Sequence, residues 1–230
     1  MRVLGVIQCR MSSSRLPGKA LAELGGRTVL EWVIARSCLA GGLDKVVLAT
    51  STDASDDSVA ELGSRLGIAV VRGDLDDVLS RYMLALSLYP AEAVVRITAD
   101  NPLTDFVSID QVCRLFFSEE LDYGYAARIP YGAGVDIFRT SMLEKVAVGA
   151  TCKRHREHIN TWFLDNHLSC RIGSVSPPMG LDRPDVRLTL DTRDDLERLR
   201  MIFRELSQPE SCPLSESIDA YDRVGINRQD

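Results

Sequence analysis

Three cations and a run of small residues crowd one short segment near the start of the chain, Gln8-Cys9-Arg10-Met11-Ser12-Ser13-Ser14-Arg15-Leu16-Pro17-Gly18-Lys19. Backbone N–H groups and short hydroxyls in such a loop can approach phosphate closely, while Arg10, Arg15 and Lys19 neutralise it. The same composition would also suit a solvated surface loop. Its position favours the first reading, because the loop follows the apolar run Val3-Leu4-Gly5-Val6-Ile7 and ligands of open α/β sheets bind beyond the carboxyl ends of the strands. Lys19 is followed by Ala20, so no G-x-x-x-x-G-K-[ST] loop is present, and no G-x-G-x-x-G follows any strand run. A kinase-type or dinucleotide site is thereby disfavoured.

Two acids far apart in the chain complement these cations. Arg96-Ile97-Thr98-Ala99-Asp100-Asn101-Pro102 places Asp100 at the end of an expected strand, and Arg187-Leu188-Thr189-Leu190-Asp191-Thr192-Arg193-Asp194-Asp195 places Asp191 likewise. A carboxylate there can hold a divalent cation against phosphates. An Asp before Asn-Pro is also a good turn residue. Asp191 or Thr192 equally suits the N-cap of a following helix, with Asp194 and Asp195 favoured in its first turn by the helix dipole. Together the polycationic loop, Asp100 and Asp191 compose a magnesium–triphosphate site. A further basic cluster, Lys153-Arg154-His155-Arg156-Glu157-His158, is either a solvated helix face or the receiver of an anionic acceptor through Arg156 and His158.

Positioning these groups needs alternating strands and helices. Short β-branched runs predict strands at residues 2–8, 45–50, 68–72 and 94–98. Between them Thr28-Val29-Leu30-Glu31 is a capping-box signature for a helix reaching about Leu39, and residues 56–66 and 76–89 carry helical periodicity. This is the order of β-α-β units with a mostly parallel sheet. Beyond Asp100 the pattern predicts helices at 108–117, 154–166 and 193–206 and strands at 123–127, 131–138, 170–174 and 187–190. Residues 176–185 read as a loop, and 208–213 as a link to a weak terminal helix.

The chain has 230 residues, net charge −6, 45% hydrophobic and 26% charged residues, an ordinary globular balance that disfavours disorder. The negative field argues against nucleic acid or an anionic membrane as main partner. Cys9, Cys38, Cys113, Cys152, Cys170 and Cys212 show no C-x-x-C pair or zinc spacing and read as reduced thiols. No opening signal segment and no apolar run of membrane-spanning length are recognisable, so a soluble, cytoplasmic protein is expected.

The opening segment resembles a known family when taken with Ala49-Thr50-Ser51, Arg72-Gly73-Asp74, Asp76-Asp77-Val78-Leu79-x-Arg81-Tyr82, Arg96-Ile97-Thr98-Ala99-Asp100-Asn101-Pro102-Leu103 and Leu190-Asp191-Thr192. The family is the cytidylyltransferases of the spore-coat polysaccharide type, similar in turn to the enzymes that activate sialic acid and 3-deoxy-manno-octulosonate with CTP. The resemblance runs from about residue 2 to 206. It implies a three-layer α/β/α fold of the nucleotide-diphospho-sugar transferase, Rossmann-like kind, with CTP and Mg²⁺ in the cleft and a homodimer with a contact in region 123–170. Carried over by motif, Arg10, Ser13, Arg15 and Lys19 would hold the triphosphate. Gln8, Arg72, Asp77, Arg81, Thr98 and Asp100 would complete the nucleotide site, and Asp100 and Asp191 would bind the metal. Arg10, Arg15, Lys19 and Asp100 form the implied catalytic set. The segments 131–138 and 153–158 resemble the family's acceptor segments and give Asp136, Arg156, Glu157 and His158.

The implied reaction is CMP transfer from CTP to an anionic acceptor, a sugar acid, sugar phosphate or phosphonate, with release of pyrophosphate. The chain departs from the pattern in Ala-Asp-Asn-Pro, where relatives often carry Gly-Asp-Cys-Pro or Gly-Asp-Glu-Pro, and in Cys9, where Ala is usual. One domain is expected, with residues 1–104 mainly nucleotide-binding, 105–206 mainly acceptor-binding and 207–230 an extension. Two alternatives are a glycosyltransferase of the same fold using a nucleotide sugar and a non-catalytic nucleotide-binding domain. The former would want a strand-end Asp-x-Asp, where Asp100 is followed by Asn101-Pro102. The latter sits poorly with the presence of Arg10, Arg15, Lys19, Asp100 and Asp191.

Overall fold

Strand β1 (Val3–Gln8) alternates its apolar side chains between two faces, and both faces are covered. A computed structural model describes residues 1–13 and 15–226; Ser14 of the opening loop and residues 227–230 of the C-terminal extension lie outside the described residues. The elements then follow as β2 (Glu23–Leu24), β3 (Arg27–Thr28), α1 (Val29–Cys38), β4 (Lys45–Ser51), α2 (Asp57–Arg65), β5 (Ala69–Gly73), α3 (Val78–Leu88), β6 (Ala93–Thr98) and α4 (Phe106–Ser118). The second half continues with β7 (Tyr123–Ala126), β8 (Asp136–Arg139), α5 (Thr140–Gly149), α6 (Lys153–Glu157), α7 (Ile159–Asp165), β9 (Ile172–Val175), α8 (Arg193–Glu205) and α9 (Leu214–Ile226).

The main sheet has the order β5-β4-β1-β6-β8-β7-β9. Only β8 runs against its neighbours, so the sheet is mostly parallel. Leu4, Val6, Val47, Val71 and Val94 face a layer built from α3, α5 and α7. Val3, Ile7, Leu48, Val95 and Ile97 face α1, α2 and α4. This is the expected α/β/α sandwich, and the central strands β1, β4 and β6 are covered on both faces as parallel sheets require, while the edge strand β9 is only partly buried. A third apolar cluster joins α8 and α9 to Trp32, Leu103 and the extended segment Val186, Leu188 and Leu190. The register pairs Gln8 with Ala49 and with Thr98, which brings the opening loop and the Asp100 turn out at one edge of the sheet.

Helix α1 starts where the capping box places it. Thr28 Oγ1 accepts from Glu31 N at 3.3 Å and the Glu31 carboxylate accepts from Thr28 N at 2.6 Å. Thr192 caps α8 in the same way with Asp195, so the cap is Thr192 and Asp191 stays free for the site.

Three expectations need correction. Residues 187–190 are extended but not a strand, since Arg187 forms an isolated bridge to Tyr131 and Leu190 N donates to Asp100 O instead of to a ladder. The expected strand 131–138 is reduced to β8, because Gly132 turns the chain with φ +99°. The helix expected over 154–166 breaks at His158, whose φ of −115° and ψ of 80° separate α6 from α7. Helix α5 and the β2–β3 hairpin are additions to the expected elements; α5 buries Leu143 and Val146, with Met142 and Ala147 packed beside them.

Arg36 of α1 is fully buried and donates to Thr104 O at 2.9 Å, Pro209 O at 2.7 Å and Cys212 O at 3.2 Å, fastening the linker before α9 to the body. Replacing Arg36 by Met orphans these carbonyls and is expected to destabilise the protein by about 3 kcal/mol, read as a lowered urea midpoint. An unchanged midpoint contradicts the assignment.

Candidate active site

A cavity of about 800 Å³ opens at the carboxyl ends of β1 and β6. Its charged centre is Lys19, on a short 3-10 turn entered through Gly18 at φ 74°. The Lys19 ammonium donates to Asp100 Oδ2 at 2.6 Å, to Leu190 O at 2.8 Å and to Asp191 Oδ1 at 3.0 Å. Arg15 Nη2 lies 2.8 Å from Asp191 Oδ1. Loop and acids, separated by most of the sequence, therefore meet. Burial pushes the Asp191 carboxyl up, but the Lys19 hydrogen bond and the charges of Lys19, Arg187 and Arg15 leave it below its ordinary value.

The loop is shaped from below by Asp56, which the sequence reading did not single out. This fully buried carboxylate accepts from Met11 N at 2.7 Å, Ser51 N at 3.0 Å and Thr50 Oγ1 at 3.0 Å. Burial opposes its ionisation, yet these donors bring its pKa below the usual range. Asp56 thus ties the loop to the end of β4. Its only sequence signal is the nearby Thr50-Ser51 pair, which supplies the hydroxyls.

Asp191 is set from the opposite side. Arg187 donates to Asp191 Oδ2 at 2.9 Å and forks onto Asp195, which also accepts from Asp191 N and Thr192 N, each at 3.0 Å. Tyr131 covers the Arg187 guanidinium, with its ring centroid 5.1 Å away. Gly132 permits this approach, since a Cβ there would lie 2.7 Å from Thr189 N.

The floor is a hydrogen-bonded chain. Arg96 Nη1 donates to Asp136 Oδ2 at 2.9 Å, Tyr123 donates to Asp136 Oδ1 at 2.7 Å, and Gln8 Oε1 receives Tyr82 at 3.1 Å and Arg96 Nε at 3.2 Å. Burial disfavours the Arg96 charge, but Asp136 more than offsets it and Arg96 is firmly cationic. Burial pushes the Cys9 thiol far up, which removes it as a nucleophile.

Most of the expected residues line this cavity: Gln8, Arg10, Ser13, Arg15, Lys19 and Arg81, then Thr98, Asp100, Asp136, Glu157, His158 and Asp191. Arg10 reaches across to Glu157 at 2.8 Å, and Asn160 and Thr161, absent from the sequence reading, stand beside His158. Three expected residues do not line it. Arg72 is taken up by Ser51 O at 2.8 Å and Asp57 at 2.7 Å, bracing the turn after β4. Arg156 donates to Asp77 at 2.7 Å and to the carbonyls of Ala147 and Ala150, so this pair clamps α6 to the start of α3 instead of facing a ligand. Among the described residues no group of three or more His, Cys, Asp and Glu side chains forms a metal cluster.

Residues 4–205 match the Cytidylyltransferase family model. The chain belongs to the cytidylyltransferase family. It is 35% identical over 197 residues to an uncharacterized protein of Methanocaldococcus jannaschii, covering 86% of this chain and 81% of that one. It is 27% identical to the spore coat polysaccharide biosynthesis protein SpsF of Bacillus subtilis over 96% of this chain and 94% of that one. A cytidylyltransferase structure from Leptospira borgpetersenii superposes with a TM-score of 0.90 at 28% identity, covering 100% and 96% of the two chains. The fold is that of the nucleotide-diphospho-sugar transferases, and the cytidylyltransferase is a CTP-dependent nucleotidyltransferase. No helix among the described residues is long and apolar enough to cross a membrane.

The Arg187–Asp195 fork gives a pH-dependent stability. Burial raises the Asp195 pKa, but Arg187 and the backbone donors win and hold it well below its ordinary 3.8. A depressed carboxyl stabilises the fold above its unfolded pKa and loses that contribution as pH falls through the folded value. Asp195→Asn should therefore cost about 3 kcal/mol at pH 7. The gap to the native protein should narrow only below about pH 4, followed by chemical denaturation at several pH values. A gap independent of pH would contradict the ionic role.

Proposed function

We propose that the cavity binds CTP with Mg²⁺ and transfers CMP to an oxygen of a small anionic acceptor, a sugar acid, sugar phosphate or phosphonate, releasing pyrophosphate. The observation that carries this reading is the convergence of Lys19 and Arg15 on Asp100 and Asp191 at one mouth of the sheet. An acceptor oxygen attacks the α-phosphorus, a P–O bond forms as the bond to the bridging oxygen breaks, and pyrophosphate leaves. Such transfers need positioning and charge neutralisation more than a covalent nucleophile. Arg10, Ser13, Arg15 and Lys19 suit the triphosphate, with Lys19 and Arg15 balancing charge on the departing pyrophosphate.

The remaining nucleotide contacts fall to Gln8, Thr98 and Arg81. Arg81 is buried and donates to Asp74 O and Leu75 O, ordering the turn before α3. Asp77 and Arg72 support that end from behind. Asp100 and Asp191 present hard carboxylate oxygens that already converge on one cation, a donor set that fits Mg²⁺ once phosphate oxygens complete it. When bound, Mg²⁺ would supply neutralisation of phosphate charge.

The acceptor faces Asp136, Glu157 and His158, with Asn160 and Thr161 available to its hydroxyls. In this reading His158, which lines the cavity, would take the proton of an attacking hydroxyl; a phosphate or phosphonate oxygen arrives ionised and needs none. The reading includes a cytoplasmic homodimer with its contact in region 123–170, which exposes Val148, Leu164 and Leu168. Free cysteines support the reducing compartment.

The test is pyrophosphate release with each of the four NTPs, Mg²⁺ and a panel of acidic sugars and phosphonates, where release with CTP alone is expected. Release with another NTP, or none with any acceptor class, overturns it. Asp100→Ala and Lys19→Ala should each lower kcat by about 10²–10³ with the fold intact by circular dichroism. Normal turnover in either variant removes that residue from the machinery. Arg156→Ala should lower thermal stability before it changes the acceptor KM, and a selective KM effect would return Arg156 to the site.

A further inference from the structure

The Lys19 ammonium has three N–H donors, and its three contacts, Asp100 Oδ2, Leu190 O and Asp191 Oδ1, take one each. Two of these oxygens belong to the carboxylates proposed above as the metal ligands. The cluster is shielded, with Lys19 and Asp191 side chains 14% and 9% exposed. In such surroundings charge-assisted bonds are stronger than in water. A divalent ion entering between the acids must evict the ammonium. Without nucleotide the ammonium keeps this position, because each of its three donors already has an oxygen there and Arg10 and Arg15 of the same loop are like charges that disfavour its moving along the loop. Arg15 moreover holds Asp191 by the same oxygen that Lys19 uses.

A triphosphate reverses this balance. It brings several negative charges against the loop that carries Lys19, offers the ammonium an alternative anion, and leaves the two carboxylates without their shared counter-ion. We infer that Lys19 is a built-in counter-ion that keeps divalent cations out of the Asp100–Asp191 pair until nucleotide draws it away, so that metal is admitted with the nucleotide and not before it. The coupling is reciprocal by linkage, so metal strengthens nucleotide binding by the same factor. Lys19 then has two partners in turn: the acids while the cavity lacks nucleotide, and phosphate once it is filled. This inference rests on the proposed roles of Asp100 and Asp191.

The experiment is a Mn²⁺ titration of the full chain followed by the electron paramagnetic resonance signal of free Mn²⁺, with and without CTP. Without CTP, Lys19→Gln should bind Mn²⁺ about tenfold or more tighter than the native protein, the equivalent of one charge-assisted hydrogen bond removed. Lys19→Met serves as a second variant, and thermal melts confirm that both fold. Arg15→Gln removes the same charge from the same carboxylate without vacating the bridging position, and should change affinity by less than about threefold. Adding CTP should give the native protein tight Mn²⁺ binding and close the gap. Native protein that binds Mn²⁺ without CTP as tightly as Lys19→Gln overturns the inference, and so does an equal gain in Arg15→Gln. Asp100→Asn in the Lys19→Gln background separates the two layers, since loss of Mn²⁺ is expected and retention would mean that the underlying metal assignment fails.

Discussion

The site depends on one electrostatic requirement, that two carboxylates brought together in a half-closed cavity must share a cation. Asp100 leaves β6 and Asp191 precedes α8, and neither lies near the other in sequence. Lys19 supplies the charge and Arg15 reinforces it at Asp191. Much of the surrounding structure serves to make that meeting unavoidable. Asp56 fastens the loop to β4, the Gln8–Thr98 register sets β1 beside β6, and the Arg187–Asp195 fork fixes Asp191 from behind. Substitution of any of these supports would act on chemistry through position, because misplacement by about an ångström can already weaken catalysis a hundredfold.

The parallel half of the fold was legible because buried strands in β-α-β units are short, β-branched and regularly spaced. Asp100 and the cationic loop were legible for the same reason, since they sit where strand ends must open. Asp191 was found for a partly wrong reason. The segment before it has strand-like alternation, but it bonds to the carbonyls of Tyr131 and Asp100 and never joins a ladder. Alternation reports burial on one face, and a half-buried extended segment has the same signature as a strand.

Legibility fell where charge takes over from apolar packing. Asp77, which the resemblance assigns to the nucleotide, and Arg156, which the basic segment 153–158 and the resemblance assign to the acceptor, satisfy each other instead. Arg72, assigned to the nucleotide by the same resemblance, braces a turn. Nothing in a local pattern tells which of several Arg and Asp side chains will pair, since pairing is decided by elements 79 positions apart, as for Arg156 and Asp77. Asp56 shows the converse: an acid whose one signal is the nearby Thr50-Ser51 pair is a main support because it is buried among donors. Asn160 and Thr161 enter the cavity only because the helix breaks at His158.

That break carries its own consequence. Helix α6 buries none of its five residues and is held through Arg156–Asp77, Arg10–Glu157 and the pairing of Arg154 and His155 with Asp165. Helix α6 is therefore riveted to the body by ions, while α7 beside it packs Ile159 and Phe163 into the hydrophobic sandwich from which β1 and β6 emerge. Selection can redraw the exposed positions of such a helix more freely than those buried in the sandwich, as long as the Arg156–Asp77 clamp is kept. A lineage built this way can hold the strand-end half of its cavity constant while the facing helix varies.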